Sequence, residues 1–160
     1  MIVAPTIRLG TSRDVAPIAA MSRDFIEHGL GWSWTPARVE GAVRDRAVNV
    51  AVIGGPEAVM GFGIMQYGDD SAHLALLAVR PEEQHRGLGT LLLAWLEQPA
   101  RVAGIARIRL EARADNPVAI GFYRKQGYCE IARVGGYYRG TVDAVRLEKR
   151  LALVIGTPAP

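Results

Sequence analysis

The feature that most restricts the fold of this chain is a glycine-containing turn between an apolar run and an amphipathic helix. The apolar run covers residues 74–79 and the turn covers residues 84–90, after which apolar residues recur at helical spacing from Leu88 to Leu96. Because glycine has no Cβ, a ligand can approach the backbone N–H groups at the positive end of the helix dipole. The turn therefore predicts an anion site, with phosphate or pyrophosphate as the expected anion.

Two common phosphate-binding patterns do not fit this turn. A P-loop needs a lysine directly after its second glycine, whereas Thr90 follows Gly89. The dinucleotide-binding fingerprint needs a third glycine where Leu92 stands. The pattern that does fit is Gln/Arg-x-x-Gly-x-Gly/Ala, carried by Gln84, Gly87 and Gly89. It is similar to the coenzyme A pyrophosphate loop of the GNAT superfamily of N-acetyltransferases, although an ordinary glycine-rich turn is the other interpretation of the loop alone.

A second motif lies in residues 108–128. Apolar and charged residues alternate up to Arg113, which predicts a strand. Asn116 suits a helix N-cap, Pro117 suits the first helical position, and Gly127 suits the left-handed residue that ends a helix. The strand, the asparagine and a helix ending in Phe-Tyr-x-Lys-x-Gly-Tyr resemble the second GNAT signature, as found in ribosomal-protein alanine N-acetyltransferases.

The resemblance covers residues 72–150 and implies an α/β GNAT fold. In such a fold, flanking helices cover a mixed central sheet, and splayed parallel strands surround a β-α-β coenzyme A site. The element order along the chain, βααβββαβαββ, agrees with it. The last two strands are expected at residues 128–134 and 142–151. We expect a single N-acetyltransferase domain over residues 1–155 and a frayed tail over 156–160.

Composition limits the other classes of function. The chain has 160 residues, 49% of them hydrophobic and 22% charged, as in a globular domain with one core. A net charge of +3 mildly favours an anionic ligand and is too small to indicate a nucleic-acid partner. No membrane span or signal peptide is expected, which predicts a cytoplasmic location. The lone cysteine, Cys129, allows no intrachain disulfide or metal cluster and is expected to be buried.

The resemblance implies that acetyl-CoA is the co-substrate. The backbone at the end of the first strand would bond the pantetheine arm as an added strand does. Two charged side chains, Arg86 and Lys125, could neutralise phosphates or could simply be solvated. The cofactor-binding positions implied by the family motifs are Leu77, Ala78, Val79, Gln84, His85, Arg86, Gly87, Leu88, Gly89, Thr90, Asn116, Phe122 and Tyr123.

Tyr123 is the predicted general acid, since the family tyrosine of this segment points at the coenzyme A sulfur. With reference pKa values of about 10 for tyrosine and about 8.5 for a thiol, the proton transfer is uphill by about 2 kcal/mol. The site must therefore lower the tyrosine pKa or release a thiolate. The alternative is that the ring only packs beneath the cofactor.

Glu111 is the predicted general base, because it stands where the alanine N-acetyltransferases carry a basic glutamate. The alternative is a simple ion pair, since Arg109 and Arg113 alternate onto the same face. His73 is a second base candidate, although an edge or packing histidine is the other interpretation. At pH 7 a lysine ε-amine costs about 4.6 kcal/mol to neutralise and an α-amine only about 1 to 1.4 kcal/mol.

The acceptor pocket is expected at two aromatic groups. Trp32 and Trp34 lie between the first two helices, and Tyr137 and Tyr138 lie between the last two strands. Packing of the helix–helix turn is the other interpretation of the tryptophans. The acceptor would be a small-molecule amine or a protein N-terminal α-amine, attacking the thioester directly in a ternary complex. The small molecule is slightly favoured, because the amino-terminal half does not resemble the alanine N-acetyltransferases.

The rival class of function is a non-catalytic module that binds acyl-CoA on the same fold. The retained Tyr123, Glu111 and Asn116 argue against it, because binding alone needs only the loop and the strand backbones. A homodimer is a further expectation from the resemblance.

Overall fold

The computed structural model describes residues 6–152, which form seven strands and four α-helices. The strands are β1 (Ile7–Leu9), β2 (Val48–Ile53), β3 (Gly61–Tyr67), β4 (Ser71–Val79), β5 (Arg107–Arg113), β6 (Cys129–Tyr138) and β7 (Val142–Arg150). The α-helices are α1 (Val15–Met21), α2 (Pro36–Arg44), α3 (Leu88–Val102) and α4 (Pro117–Lys125). A short π-helix, Ser22–Ile26, continues α1. Two 3-10 turns, Ser12–Asp14 and Pro81–Glu83, precede α1 and follow β4.

The strands form one sheet in the order β1-β2-β3-β4-β5-β7-β6. The pairs β1–β2, β2–β3, β5–β7 and β6–β7 are antiparallel, whereas β4 and β5 are parallel. The parallel ladder consists of three residue pairs at the amino-terminal ends of the two strands, from Ser71↔Arg107 to His73↔Arg109. Strands that splay apart can pair only along part of their length, so this short ladder agrees with the predicted splaying. The mixed α/β sheet of the GNAT fold is confirmed.

The chain divides into two compact units, and each has its own apolar core. The first unit comprises Met1–Gln66 and Leu74–Leu96, and the second comprises Tyr67–His73 and Glu97–Pro160. A cluster of fully buried side chains, including Ile18 of α1 and Phe62 of β3, forms the core of the first unit. The single domain over residues 1–155 stays a prediction, and the predicted tail at 156–160 lies outside the described residues.

The core of the second unit is built on alternating residues of β5 and β7. Ile108, Leu110 and Leu147 are buried, as the period of two along a strand requires. A polar group lies within this core. The carboxylate of Glu97 accepts hydrogen bonds from the hydroxyl of Tyr128 at 2.7 Å and from the ammonium of Lys149 at 3.0 Å. The buried carboxylate is therefore both charge-paired and hydrogen-bonded.

Local sequence rules place the helix ends. Thr11 forms the predicted capping box with Asp14 before α1. Asn116 accepts the N–H of Ala119 at 3.1 Å and caps α4. Gly127 follows α4 with a φ of 95°, the left-handed conformation that ends a helix. These three predictions are confirmed.

Two expectations about the carboxyl-terminal strands were wrong. The predicted end of β6 at residue 134 is too early, because the strand continues through both glycines to Tyr138, with a register shift against β7 that absorbs them. Cys129 was expected to be buried and is exposed. It is the first residue of β6, an edge strand of the sheet formed by residues 6–152, and no residue of this strand is buried.

Candidate active site

The predicted coenzyme A loop is a short, tethered connection between β4 and α3. The side-chain amide of Gln84 donates to the carbonyl oxygen of Val79 at 3.0 Å, which ties the loop to the end of β4. The guanidinium of Arg86 pairs with Glu83 in the preceding turn. Gly87 has a φ of 78°, and its carbonyl accepts the N–H of Leu91 at 3.1 Å as α3 begins. The loop therefore feeds directly into the first turn of a 15-residue helix.

The loop has the exposure that an anion site needs. Gln84, His85, Arg86 and Gly87 are exposed, whereas Leu88 is buried and anchors the start of α3. The first N–H groups of a helix have no carbonyl partner within the helix and carry partial positive charge. The geometry can therefore accept a phosphate group on the backbone. A Cβ at Gly87 would meet nothing within 4 Å, so it is the left-handed backbone there that favours glycine.

A polar cluster around Glu111 lies in the second unit. Oε2 of Glu111 is 3.0 Å from Nε2 of His73, and Oε1 accepts the hydroxyl of Tyr137 at 3.1 Å. The guanidinium of Arg146 approaches Oε1 at 3.8 Å. The Glu111 side chain is only 10% exposed, whereas that of His73 is 42% exposed. We call these four residues the Glu111 cluster.

The Glu111 cluster contains both residues that were predicted from the sequence as alternative bases, Glu111 and His73. Arg109 and Arg113 were the expected ion-pair partners of Glu111, but they pair with Glu148 and Asp115 instead. The His73 ring is the principal partner of the carboxylate. Because the two residues lie on neighbouring strands, only the parallel register of β4 and β5 places them side by side.

Charge and hydrogen bonding determine the ionisation of Glu111. The hydrogen bond from His73 lowers the pKa of this carboxyl group, and further lowering comes from the charge of His73, from Tyr137 and from Arg146. Partial burial acts in the opposite direction and does not prevail. Glu111 is therefore ionised at neutral pH and acts only as a hydrogen-bond acceptor.

Tyr123 is buried in α4 and packs against two aromatic neighbours. Its ring meets those of Phe122 and Tyr128 edge to face, at centroid distances of 5.2 and 5.8 Å. Burial raises the pKa of the Tyr123 hydroxyl, and the nearby Tyr138 raises it further. Of the two alternatives given by the reference pKa values, the raised pKa of Tyr123 agrees with the departure of a thiolate. The hydroxyl stays protonated, so it can stabilise a departing thiolate by donating a hydrogen bond.

The two tryptophans have structural contacts in the first unit. The Trp32 indole N–H donates to the carbonyl of Ala19 at 3.1 Å. Trp34 packs against the core of the first unit, and the Arg38 guanidinium covers its other face at 3.8 Å. Trp32 remains 37% exposed. The packing interpretation therefore holds for Trp34, whereas Trp32 is held by one hydrogen bond and is exposed. A role of either ring in acceptor binding stays a prediction.

Glu27 organises the segment that carries these tryptophans, and the sequence reasoning missed it. Its buried carboxylate accepts the Ser22 hydroxyl at 3.0 Å, the N–H and hydroxyl of Ser33, and the N–H of Trp34. These bonds lower the pKa of the carboxyl group, although burial, the largest single effect, opposes them. No local motif marks such a residue, because its partners lie in a turn whose shape the sequence does not specify.

Residues 6–152 contain neither a candidate metal site nor a helix that could cross a membrane. No group of three or more histidine, cysteine or acidic side chains in that range is suited to hold a metal ion. None of the helices described there has the length and hydropathy needed to cross a bilayer.

Comparison with known proteins identifies similar chains. The model of the Acetyltransferase (GNAT) family matches residues 22–128, which extends the similarity towards the amino terminus beyond the predicted residues 72–150. The [ribosomal protein bS18]-alanine N-acetyltransferase of Salmonella typhimurium is 32% identical over 70% of this chain and 77% of its own. The Escherichia coli enzyme of the same name is 39% identical, over 50% of this chain and 54% of its own.

Solved structures agree with these relatives. Ard1 from Thermoplasma volcanium superposes with a TM-score of 0.82 and 25% identity, covering 94% of this chain and 99% of its own. The yncA protein of Salmonella typhimurium, solved with acetyl-CoA, superposes with a TM-score of 0.77 and 20% identity, covering 99% and 100%. The second match shows the fold alone.

Proposed function

Because the chain belongs to the GNAT family of acetyltransferases, we propose that it transfers the acetyl group of acetyl-CoA to the α-amine of a protein N-terminus. The chain is an acetyl-CoA-dependent N-acetyltransferase, as the family and the curated relatives establish. The acceptor is the proposed part. Relatives named for acetylating an alanine of ribosomal protein bS18 support a peptide acceptor over the small-molecule amine.

The observation that carries the choice of acceptor is the ionised Glu111 cluster. A carboxylate with a lowered pKa is a weak base. Neutralising a lysine ε-amine at pH 7 costs about 4.6 kcal/mol, whereas an α-amine costs about 1 to 1.4 kcal/mol. A site that does not use Glu111 to remove a proton from an ammonium group is therefore suited to an α-amine, of which a useful fraction is already neutral.

The family motifs and the local geometry suggest a role for each part of the chain. The α-amine attacks the thioester carbonyl directly, in a ternary complex. The loop from Gln84 to Thr90 would hold the pyrophosphate, and the backbone of β4 from Leu77 to Val79 would bond the pantetheine amides. Tyr123 would donate its hydroxyl hydrogen bond to the departing sulfur. Glu111 would provide the carboxylate that supports deprotonation of the amine.

Further positions complete the proposed site. Asn116 and Phe122 would contact the cofactor beside Tyr123. The acceptor peptide would contact the aromatic residues Trp32, Trp34, Tyr137 and Tyr138.

The deciding experiment measures thiol release from acetyl-CoA across three groups of acceptors. These are peptides with a free N-terminal alanine, the same peptides with a blocked N-terminus and one internal lysine, and small primary amines. Turnover confined to the first group is expected, and Tyr123→Phe should abolish most of it. Turnover confined to small amines would contradict the peptide acceptor.

Two further proposals follow from a peptide acceptor and the family. An acceptor related to a ribosomal protein would place the enzyme in the cytoplasm. A homodimer stays a prediction, which sedimentation of the purified chain tests directly.

A further inference from the structure

Both oxygens of Glu111 are already engaged within the protein. Oε2 faces Nε2 of His73 at 3.0 Å, and Oε1 accepts from Tyr137 at 3.1 Å, with Arg146 at 3.8 Å. The Glu111 side chain is 10% exposed, so it offers little accessible surface to an acceptor amine. The cluster therefore presents Glu111 as a supporting group rather than as the atom that receives a proton.

The position of one proton follows from these contacts. An ionised carboxylate can only accept hydrogen bonds, so the His73–Glu111 contact requires the proton on Nε2 of the ring. In the neutral ring, the lone pair then lies on Nδ1. The ring is 42% exposed, so water and an amine can reach it. Within residues 6–152, Glu111 is the hydrogen-bonding partner of this ring.

The arrangement is that of a carboxylate orienting a catalytic imidazole. In such pairs the carboxylate fixes the tautomer and the orientation of the ring, and it stabilises the imidazolium that forms. Residues on two neighbouring strands hold the pair in place here, since His73↔Arg109 is a register pair of β4 and β5 and Glu111 lies two residues further along β5. Rigid strands suit this task, because the ring must keep one orientation during proton transfer.

We propose that His73 is the group that receives the proton of the acceptor amine, directly or through one water molecule, and that Glu111 is a positioning residue acting through it. The inference rests on the proposed α-amine acceptor and specifies which residue receives its proton. Tyr137 belongs to the same arrangement, because its hydrogen bond holds the other oxygen of Glu111.

The reaction step balances without another reactant. The neutral amine nitrogen attacks the thioester carbon, a C–N bond forms, and the C–S bond breaks. One proton leaves the nitrogen and binds Nδ1 of His73, which afterwards releases it to solvent. The sulfur departs with the electron pair of the C–S bond, stabilised by the hydroxyl of Tyr123, and takes a proton from solvent. The products are the acetylated amine and coenzyme A.

The test compares three variants under conditions in which the wild type turns over a peptide acceptor. His73→Gln keeps a side-chain N–H that can bond Glu111 but has no basic nitrogen, so we expect kcat to fall about 100-fold. The kcat of His73→Ala should fall by a similar factor, and added imidazole should restore part of it. The kcat of Glu111→Gln should also fall. Imidazole should not restore it, because the ring of His73 still fills the space that imidazole would occupy.

The controls separate the possible failures. Acetyl-CoA binding and circular dichroism should match the wild type in every variant, and His28→Ala, an exposed histidine with no proposed role, should keep full activity with no response to imidazole. Wild-type kcat in His73→Gln would overturn the proposal, because the ring would then be only a hydrogen-bond donor. No imidazole rescue of His73→Ala would also overturn it. A wild type inactive on every acceptor would contradict the proposed function instead.

Discussion

At the scale of single residues, Tyr123 is a buried packing residue and also the proposed hydrogen-bond donor to the departing sulfur. Its ring is buried against Phe122 and Tyr128, and its hydroxyl keeps its proton because burial raises the pKa. Tyr123→Phe preserves the ring and removes only the donor. We expect acetyl-CoA affinity to be unchanged and kcat to fall at least about 100-fold, measured by thiol release and by calorimetric titration.

A second tyrosine provides the matched control. The Tyr128 hydroxyl donates to the buried Glu97 carboxylate rather than to a reacting group. Tyr128→Phe should therefore lower the free energy of unfolding by about 1 to 2 kcal/mol and leave kcat unchanged. Equal kcat for Tyr123→Phe and wild type would remove Tyr123 from the mechanism.

An ion pair between the buried Asp14 and the partly exposed Arg8 stabilises the start of the first unit. Both oxygens of Asp14 accept from the guanidinium of Arg8 at 2.7 Å, and one of them also accepts the N–H of Thr11 at 2.8 Å. These bonds lower the pKa of Asp14. Asp14→Asn removes the charge from these hydrogen bonds and should lower the free energy of unfolding by about 2 kcal/mol at pH 7, measured by urea unfolding.

The pH dependence of that cost follows from the direction of the pKa shift. Since the folded pKa of Asp14 lies below the unfolded value, its contribution is present above about pH 4 and is lost as the pH falls through the folded value. The difference in the free energy of unfolding between wild type and Asp14→Asn should therefore become smaller as the pH is lowered. Asp24→Asn, which removes an exposed ion pair with Arg23, should leave the free energy of unfolding unchanged. A difference in the free energy of unfolding that stays constant down to pH 2 would contradict a stabilising role of the ionised Asp14 carboxylate.

At the scale of elements, the junction of the loop and α3 carries the coenzyme A prediction. Gly89 is the second residue of α3, where a bound pyrophosphate would approach the backbone. Gly89→Val places a branched side chain there, so we expect the dissociation constant of acetyl-CoA to rise at least about tenfold, as measured by titration calorimetry.

The same substitution in another helix separates binding from helix stability. Gly41 lies inside α2, and a Cβ there would meet nothing within 4 Å. Gly41→Val should therefore leave acetyl-CoA affinity unchanged. If Gly89→Val also bound acetyl-CoA normally, the pyrophosphate assignment of residues 84–90 would be wrong.

At the scale of the whole molecule, cofactor binding and folding are linked. A ligand that binds only the folded state at 100 times its dissociation constant stabilises that state by about 2.7 kcal/mol. For a chain of this size, that corresponds to a rise in Tm of about 5 to 10 °C. Acetyl-CoA should therefore raise the Tm in thermal unfolding monitored by circular dichroism. Acetate at the same concentration is the control, and an unchanged Tm with acetyl-CoA would contradict cofactor binding.

Most of the fold was predictable because its signals are local. The capping box at Thr11, the cap at Asn116 and the left-handed Gly127 depend on residues that are neighbours in the chain. The same holds for the loop of residues 84–90, where glycine spacing and the start of a helix lie within one short segment. Backbone rules of this kind need no knowledge of distant contacts, so sequence alone determined the order of the elements and the family motifs.

The tertiary structure decided how the functional side chains act. His73 and Glu111 are 38 residues apart, and Tyr137 is a further 26 residues along, so only strand register brings them into one cluster. The exposure of Cys129 and the raised pKa of Tyr123 likewise depend on what surrounds each side chain in the folded chain. Desolvation and long-range hydrogen bonds are properties of the packed molecule. For this reason, sequence alone could name Glu111 and His73 as bases but could not pair them.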